Sequence, residues 1–159
     1  MILIESEKCC GCRTCEQVCS LTTEKVGSSS RSRIRILRWQ MKGVDLPIVC
    51  LQCEDPLCRS ACPLNALIED PNSEIVKVDQ DACVGCKLCS YVCPVGAIFI
   101  DREKGKAVKC DQCDGDPVCV KFCPTEAIKY LDYDKAIDAL KRSRAKKLLE
   151  LVAPTIKIG

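Results

Sequence analysis

The sequence predicts an α+β fold in which short strands and short helices are organised around four cysteine-rich loops. Sixteen of the seventeen cysteines fall into four quartets, and each quartet ends in C-x3-C. Short β-branched segments bounded by Asp, Pro and Gly lie beside the quartets and are typical of strands. The quartets, numbered as motifs one to four, are Cys9, Cys12, Cys15 and Cys19; Cys50, Cys53, Cys58 and Cys62; Cys83, Cys86, Cys89 and Cys93; and Cys110, Cys113, Cys119 and Cys123.

The cysteine spacing predicts four [4Fe–4S] clusters. Four thiolates hold one such cluster, and the C-x2-C-x2-C of motifs one and three places three thiolates on one tight loop. In two-cluster ferredoxins the fourth cysteine, which stands before proline, ligates the other cluster. We therefore expect the motifs to work in pairs that exchange their fourth ligands. Three motifs end in this way, with Cys62-Pro63, Cys93-Pro94 and Cys123-Pro124.

Two other uses of the cysteines were considered. A content of about 11 % Cys is typical of a disulfide scaffold, but the odd count, the C-x2-C spacing and the absence of a signal peptide argue against one. A zinc-binding interaction module also uses paired C-x2-C units, yet zinc requires neither a third cysteine two residues further on nor a fourth before proline. Cys10 is left over, and its place in the loop, opposite Val84 of motif three, predicts a small buried side chain. The alternative is a further cluster ligand or a redox-sensitive thiol.

The motifs alternate between two patterns, which indicates a duplicated two-cluster unit. Motifs one and three read C-x-G-C followed by a basic residue, whereas motifs two and four read C-x-Q-C and continue to Asp-Pro-aliphatic-Cys. Gly11 and Gly85 would let the loop backbone approach a cluster closely. We expect Arg13, Lys87 and Gln52 to tune the cluster potentials through charge and hydrogen bonds.

Each Cys-Pro pair leads into a turn and then a strand. Asn65 and Gly96 suit a left-handed turn, and Glu126 at the equivalent position does so less readily. The Ala-aliphatic pair that follows is expected to begin the strand. The predicted strands are Ile2–Ile4, Ala66–Ile68, Ile75–Val78, Ala97–Ile100, Ala107–Lys109 and Ile128–Leu131.

Residues 20–49 form an insertion that cluster binding does not explain. Alternation over Arg33–Ile36 predicts a strand with a basic face. This strand could be a solvated edge whose charges block aggregation, or a docking surface anchored by Trp39, the only tryptophan. A nucleic-acid patch has the least support, and we expect no nucleic-acid partner.

The last segment, residues 132–159, predicts a helix. Asp132 or Asp134 can cap it, and it runs to about Val152 before Pro154 stops it. Its apolar stripe is incomplete, so the helix either packs on its own body or binds a partner. The stripe consists of Ile137, Leu140, Leu148, Leu149 and Val152.

Composition excludes several other classes of protein. The formal charge is +2, but bound thiolates and oxidised clusters would bring the net charge to about −6, so a basic partner-binding role does not follow. The chain has no histidine, which excludes Rieske ligation and histidine-ligated haem. It has no G-x-G-x-x-G and no apolar run near the ~20 residues of a membrane span. The start, 1–5, does not resemble a secretory or twin-arginine signal, and we expect a cytoplasmic protein without membrane insertion.

These motifs resemble the four-cluster ferredoxin-like electron-transfer subunits of molybdenum and tungsten oxidoreductases, over Ile2 to about Tyr130. The run from Cys113 to Pro124, with five residues between Cys113 and Cys119, is most similar to the small subunits of tungsten enzymes of the aldehyde oxidoreductase family, including class II benzoyl-CoA reductase. Motif one departs from the pattern because Ser20 replaces the proline.

The resemblance implies two ferredoxin-like dicluster modules with a C-terminal helix. One module comprises residues 1–19 with 100–131, the other residues 50–99. Spacing leaves open whether motif one pairs with two or with four; the resemblance implies that one pairs with four and two with three. The implied ligand sets are Cys9, Cys12, Cys15 and Cys123; Cys110, Cys113, Cys119 and Cys19; Cys50, Cys53, Cys58 and Cys93; and Cys83, Cys86, Cys89 and Cys62.

The function that the resemblance implies is electron transfer without catalysis by this chain. The implied partners are a large catalytic subunit of the tungsten or molybdenum pterin type and a further flavin or iron–sulfur subunit, or a ferredoxin. A free-standing polyferredoxin that serves several enzymes is the alternative.

Overall fold

The computed structural model describes residues 1–152, with the side chains of all of these except Tyr133, Ser143, Arg144 and 146–152. Its strands are short, as predicted: β1 (Ile2–Ile4), β2 (Arg35–Trp39), β3 (Val44–Ile48), β4 (Leu67–Glu69), β5 (Val76–Val78), β6 (Phe99–Ile100), β7 (Ala107–Val108) and β8 (Ile128–Tyr130). Its α-helices are α1 (Thr14–Glu24), α2 (Leu57–Ser60), α3 (Leu88–Val92), α4 (Val118–Lys121) and α5 (Tyr133–Val152). The predicted α+β class is confirmed.

The strands form four antiparallel two-stranded sheets: β1 with β8, β2 with β3, β4 with β5, and β6 with β7. The β1–β8 pair joins the two ends of the cysteine-containing region, because Ile2 lies opposite Tyr130 and Ile4 opposite Ile128. Helix α1 packs on α4, and α2 packs on α3. The helices within motifs one and four are therefore neighbours, as are the helices within motifs two and three. The β6–β7 hairpin spans residue 100, where the predicted module boundary lies.

The turns after the Cys-Pro pairs are left-handed, as predicted. Asn65, Gly96 and Glu126 have φ angles of 50°, 65° and 52°, so glutamate adopts the conformation that its side chain disfavours. The predicted strand starts at Ala66 and Ala97 are wrong by one and two residues. The reason is that the Ala66 N–H donates to Cys62 Sγ and the Ala97 N–H donates to Cys93 Sγ, so neither is available to the sheet.

Helix α1 differs from the other motif helices because motif one has no proline. A residue before proline is disfavoured in the helical region, and α2, α3 and α4 all end before the cysteine of their Cys-Pro pair. Ser20 imposes no such restriction, so α1 continues through Cys19 to Glu24. The buried Ser20 hydroxyl then donates to Gln17 O (3.0 Å) and accepts from Ser28 N–H (3.0 Å), which ties the insertion to the helix.

The insertion folds into a β2–β3 hairpin, with a second strand that the sequence analysis missed. The strand predicted at Arg33–Ile36 is displaced to Arg35–Trp39, because the Arg33 N–H donates to Cys19 Sγ at 3.4 Å. The predicted basic face is also wrong, because the exposed face of the hairpin is mainly apolar. The exposed face, which we call the outer face, is formed mainly by two apolar cross-strand pairs, Leu37 with Leu46 and Trp39 with Val44.

The buried core consists of aliphatic side chains and cysteines. The larger buried cluster contains Ile2, Ile34, Ile36, Val49 and Ile128 packed with Cys15, Cys19, Cys50, Cys110 and Cys119. A smaller one contains Leu67, Val76 and Ile98 with Cys89. Because cysteines occupy so much of this core, what their sulfurs bind decides how well it is held together.

The C-terminal helix is confirmed at the predicted position. It follows Asp132, whose carbonyl accepts from Ala136 N–H at 2.9 Å. Ala136 is fully buried, and Ile137 and Leu140 are half-buried. The rest of the predicted stripe, at Leu148, Leu149 and Val152, has side chains outside the described residues, as does Pro154. Within residues 1–152, no helix has both the length and the apolar character that crossing a membrane requires.

We predict that Gly85→Ala destabilises the protein much more than Gly43→Ala. Both glycines are left-handed, with φ of 69° and 62°, which costs alanine about 1–2 kcal/mol at either place. A Cβ at Gly85 would also collide with the backbone carbonyl oxygen of Gly105, whereas one at Gly43 meets nothing within 4 Å. Thermal unfolding followed by circular dichroism should give a clearly lower Tm for Gly85→Ala. Equal Tm values would contradict the collision.

Candidate cluster-binding sites

Three cavities are each lined by three cysteines of one motif and the last cysteine of another. Site I is lined by Cys9, Cys12, Cys15 and Cys123. Site III is lined by Cys50, Cys53, Cys58 and Cys93. Site IV is lined by Cys83, Cys86, Cys89 and Cys62.

The remaining four cysteines also lie together, and we call them site II. Burial raises the pKa of the Cys110 thiol, and the charges of Cys119, Cys50 and Cys19 raise it further. Burial is also the main cause that raises the pKa values of Cys113 and Cys119, and the charge of Cys19 raises both further. Site II therefore comprises Cys110, Cys113, Cys119 and Cys19.

These sites have the donor set of an iron–sulfur cluster. Among the described residues, no three Cys, Asp or Glu side chains converge closely enough to hold one metal ion. All seventeen cysteines lie within the described range, and none forms a disulfide. Soft sulfur donors spread around such a space are what an iron–sulfur cluster requires.

Backbone N–H groups point at the sulfur of at least one cysteine in every motif. The distances to Sγ are 3.3–3.4 Å, typical of weak N–H···S hydrogen bonds. Such bonds favour the thiolate over the thiol and help to orient a metal ligand. The pairs are Arg33 to Cys19, Ala66 to Cys62, Ala107 to Cys83, Ala97 to Cys93 and Gln112 to Cys110.

The third residue of every motif is left-handed, whether it is glycine or glutamine. The φ angles of Gly11, Gln52, Gly85 and Gln112 lie between 51° and 69°. A glutamine there needs compensation, and Gln52 receives it from its side chain. Its Oε1 accepts from the Val76 N–H at 3.1 Å, and its Nε2 donates to the Cys110 carbonyl at 2.9 Å. The alternation of glycine and glutamine therefore marks one shared loop conformation.

Burial raises the pKa of eight of the sixteen site thiols, which therefore resist ionisation until a metal displaces the proton. Burial raises the pKa of Cys15 and of Cys119 to about 12. Cys123 is different: burial raises its pKa, but the Ile128 N–H and the Thr125 hydroxyl outweigh this and leave it lowered. Cluster assembly would release protons from these thiols, and its free energy would contribute to folding.

Packing joins neighbouring sites. Cys15 of site I, Cys19, Cys110 and Cys119 of site II and Cys50 of site III lie in one buried cluster. Cys58 and Cys93 of site III pack in a second cluster with Cys89 of site IV. Within the first cluster the charge of Cys15 acts on Cys119 and that of Cys50 acts on Cys110, so site II lies between sites I and III in these interactions. We call this succession of neighbours, from I to IV, the row.

The hairpin of the insertion covers site I with its inner face. Ile36 and Pro47 line the cavity. Arg38 donates to the Gly11 carbonyl at 2.9 Å and pairs with Asp45 at 2.7 Å. The Ile36 N–H donates to the buried carboxylate of Glu16 at 2.7 Å. The insertion is thus part of the site, which the sequence analysis did not foresee.

Two individual residues differ from expectation. Cys10 is exposed, not buried as predicted, although it lines the site I cavity, just as the exposed Val84 of motif three lines site IV. Lys109 is buried beside site III and was missed, because a lysine at the end of a short strand gives no sequence signal of burial. Arg13 and Lys87 line sites I and IV from exposed positions, and their effect on potential stays a prediction.

Comparisons with known proteins agree with this chemistry. A family model described as a 4Fe-4S dicluster domain matches residues 41–133, more than half of the chain. The polyferredoxin-like subunit of aliphatic sulfonate oxidoreductase from Pyrococcus furiosus is 42% identical over 122 residues, covering 77% of this chain and 70% of the relative. Formate hydrogenlyase subunit 2 from Escherichia coli K12 is 30% identical over 180 residues, covering 90% and 87%.

A solved chain from the active site complex BamBC of benzoyl coenzyme A reductase aligns with a TM-score of 0.47 and 24% identity, covering 98% of this chain and 96% of that one. The family match spans motifs two, three and four, and both relatives named above are subunits of oxidoreductases. This chain therefore belongs to the 4Fe-4S dicluster domain family, as an electron-transfer iron–sulfur subunit of the oxidoreductase kind.

Proposed function

We propose that the chain binds four [4Fe–4S] clusters, one at each of sites I to IV, and relays electrons along that row. The observation that carries the proposal is the repeated arrangement in which three loop cysteines and one distant cysteine surround a cavity. Each bound cluster would supply one-electron oxidation and reduction. The protein residues hold the sulfurs, fix the order of the sites and limit the access of water.

The proposed ligand exchange is nested. Cys123 would complete site I and Cys19 site II, while Cys93 would complete site III and Cys62 site IV. The packing of α1 on α4 and of α2 on α3 supports this pairing. Helices α1 and α4 carry cysteines of motifs one and four, and α2 and α3 carry cysteines of motifs two and three. The same packing supports two modules, residues 1–19 with 100–131 and residues 50–99.

We propose that the chain has no catalytic activity of its own. The proposed partner is a large oxidoreductase subunit of the tungsten or molybdenum pterin type. The relatives, which are named as subunits of an aliphatic sulfonate oxidoreductase and of formate hydrogenlyase, support a catalytic partner. A flavin or iron–sulfur subunit, or a ferredoxin, would exchange electrons at the other end of the row. The cytoplasm is the proposed compartment, since free thiols persist there.

The outer face of the hairpin is the proposed docking surface for the catalytic subunit. Leu37 is 58% exposed and Trp39 is 65% exposed, and exposed aromatic side chains commonly anchor interfaces. The opposite face of the same hairpin covers site I, so a subunit docked here would lie one hairpin away from the first cluster. Arg35 and Lys42 flank the apolar pairs, which favours a partner with an acidic rim. A free shuttle has no use for such a face.

The first test is chemical analysis of protein purified without oxygen. We expect about four iron and four sulfide per cluster, and therefore about 16 of each per chain. A protein with zinc and no sulfide would contradict the proposal. Removing the metal with a chelator should abolish most of the far-ultraviolet circular dichroism, because ligation and folding are coupled.

The second test addresses the nested pairing. We expect Cys123→Ser to weaken or remove the site I cluster, because its fourth ligand is lost. Alkylation of the anaerobic variant, mapped by mass spectrometry, should then label Cys9, Cys12 and Cys15. Labelling of Cys83, Cys86 and Cys89 instead would show that motif four serves motif three. The matched control is Cys93→Ser, the equivalent cysteine of motif three, which should leave Cys9, Cys12 and Cys15 protected and expose the loop cysteines of site III instead.

The third test addresses docking. We expect the double variant Leu37→Ser, Trp39→Ser to keep its iron and sulfide but to lose its catalytic partner. The measurement is co-purification of the tagged chain from its own organism, with tungsten, molybdenum and reduction of the clusters by the captured subunit recorded. The matched control is Leu21→Ser, Val26→Ser, which changes two exposed apolar residues outside the hairpin. Retention of an active partner by the hairpin variant would exclude this surface.

A further inference from the structure

One lysine has an environment unlike that of the other lysines. Lys109 is only 3% exposed, although lysine is almost never fully buried unless it is paired. It lies at the end of β7, directly before Cys110 of site II, and it lines the cavity of site III. Its side chain therefore lies between the two middle sites of the row.

The protein surrounds the Lys109 ammonium with neutral oxygens. It donates to Gln52 Oε1 at 3.2 Å, to the Val76 carbonyl and, at 3.5 Å, to the Cys110 carbonyl. Gln52 holds this arrangement in place through its bonds to the same two backbone groups. Within the described residues, none of the ion pairs includes Lys109, whereas Lys77, Lys104 and others pair with surface carboxylates.

A buried cation without an anion is unfavourable, so this lysine requires a negative charge nearby. Site III can provide it. Lys109 lines the same cavity as the four cysteines of that site, Cys50, Cys53, Cys58 and Cys93. Four thiolates with an oxidised cube carry a net charge of about −2, which becomes one unit more negative on reduction.

We propose that Lys109 is the buried counter-charge of the site III cluster and makes its reduction potential more positive. This inference rests on the proposed function, because it requires a cluster at site III. The physical reason is that reduction adds negative charge, and a fixed cation in a region of low dielectric constant stabilises the reduced state more than the oxidised one. Gln52 acts as a positioning residue, because it fixes the ammonium without carrying charge. Exposed Arg13 and Lys87 should influence their sites less, because solvent and salt screen them.

The experiment is a reductive titration of the holoprotein, followed by EPR and visible absorption, with iron and sulfide measured for every variant. Lys109→Gln removes the charge but keeps an amide N–H that can donate to the Val76 carbonyl. Lys109→Arg keeps the charge. Lys135→Gln is the matched control, because it removes an exposed lysine on α5 that pairs only with Asp132 at the surface.

We expect Lys109→Gln to shift one reduction step to a more negative potential, with a smaller shift in a second step if site II also senses the charge. Lys109→Arg and Lys135→Gln should leave all steps near their original values. Raising the salt concentration should not remove the difference, because the lysine is buried. Unchanged steps in a fully loaded Lys109→Gln protein would overturn the proposal, as would an equal shift in Lys109→Arg.

Failure of the neutral variant to assemble clusters is also informative, provided that Lys109→Met is tested beside it. If both neutral variants lose iron from site III and Lys109→Arg retains it, the positive charge is needed to hold the cluster, which supports the counter-charge. If Lys109→Arg loses iron as well, the position requires the shape of lysine and the proposal is wrong. Absence of iron and sulfide in the unmodified protein would instead contradict the proposed function itself.

Discussion

Backbone N–H groups that turn toward cysteine sulfur, rather than toward a neighbouring strand, shape most of the loops in this protein. After each Cys-Pro pair the chain enters a left-handed residue, and at Ala66 and Ala97 the next N–H donates to sulfur. At these two places the strand begins beyond the alanine, at Leu67 and Phe99, and the strands of the described chain are all two to five residues long. Sheets this small are only marginally stable by themselves. The stability of the whole chain therefore depends on what the sulfurs bind.

Motif one shows what happens when one part of this pattern is missing. Without proline, α1 runs through its last cysteine, and Cys19 receives its N–H from Arg33 in the insertion. The same insertion provides the lid of site I through Ile36, Arg38 and Pro47. Serine at position 20 thus accompanies a different construction at this end of the row, where the outer face of the hairpin is the proposed docking surface. Sites I, III and IV each include the cysteine of a Cys-Pro turn, whereas site II includes Cys19, which Ser20 follows.

The four sites also differ from one another in how positive charge is placed around them. Basic side chains near sites I and IV are exposed, whereas Lys109 near site III is buried and held by Gln52. Burial removes the screening that weakens surface charges. The protein can therefore adjust an inner site with one residue, while the outer sites remain open to influence by whatever binds over them.

Much of the site could be predicted because its signal is local. Cysteine spacing, the C-x-G-C and C-x-Q-C alternation and the left-handed positions at Asn65, Gly96 and Glu126 all depend on a few neighbouring residues. Burial of Lys109, exposure of Cys10 and the β3 strand were missed because each depends on packing between distant segments. The exposed apolar face of the hairpin was likewise hidden, since Arg33, Arg35 and Arg38 made the segment look basic in sequence.

The sequence by itself determined the α+β class, the four thiolate quartets and the soft-metal chemistry, because ligand type and loop spacing are written in consecutive residues. Only the tertiary structure decided which distant cysteine approaches each loop, the order of the four sites and which face of the insertion meets solvent. Those features follow from the packing of α1 on α4, α2 on α3 and β1 beside β8. Contacts between segments that are far apart in the chain cannot be read from neighbouring residues. Many long-range arrangements satisfy the same cysteine spacing, and the packing of the core determines which one forms.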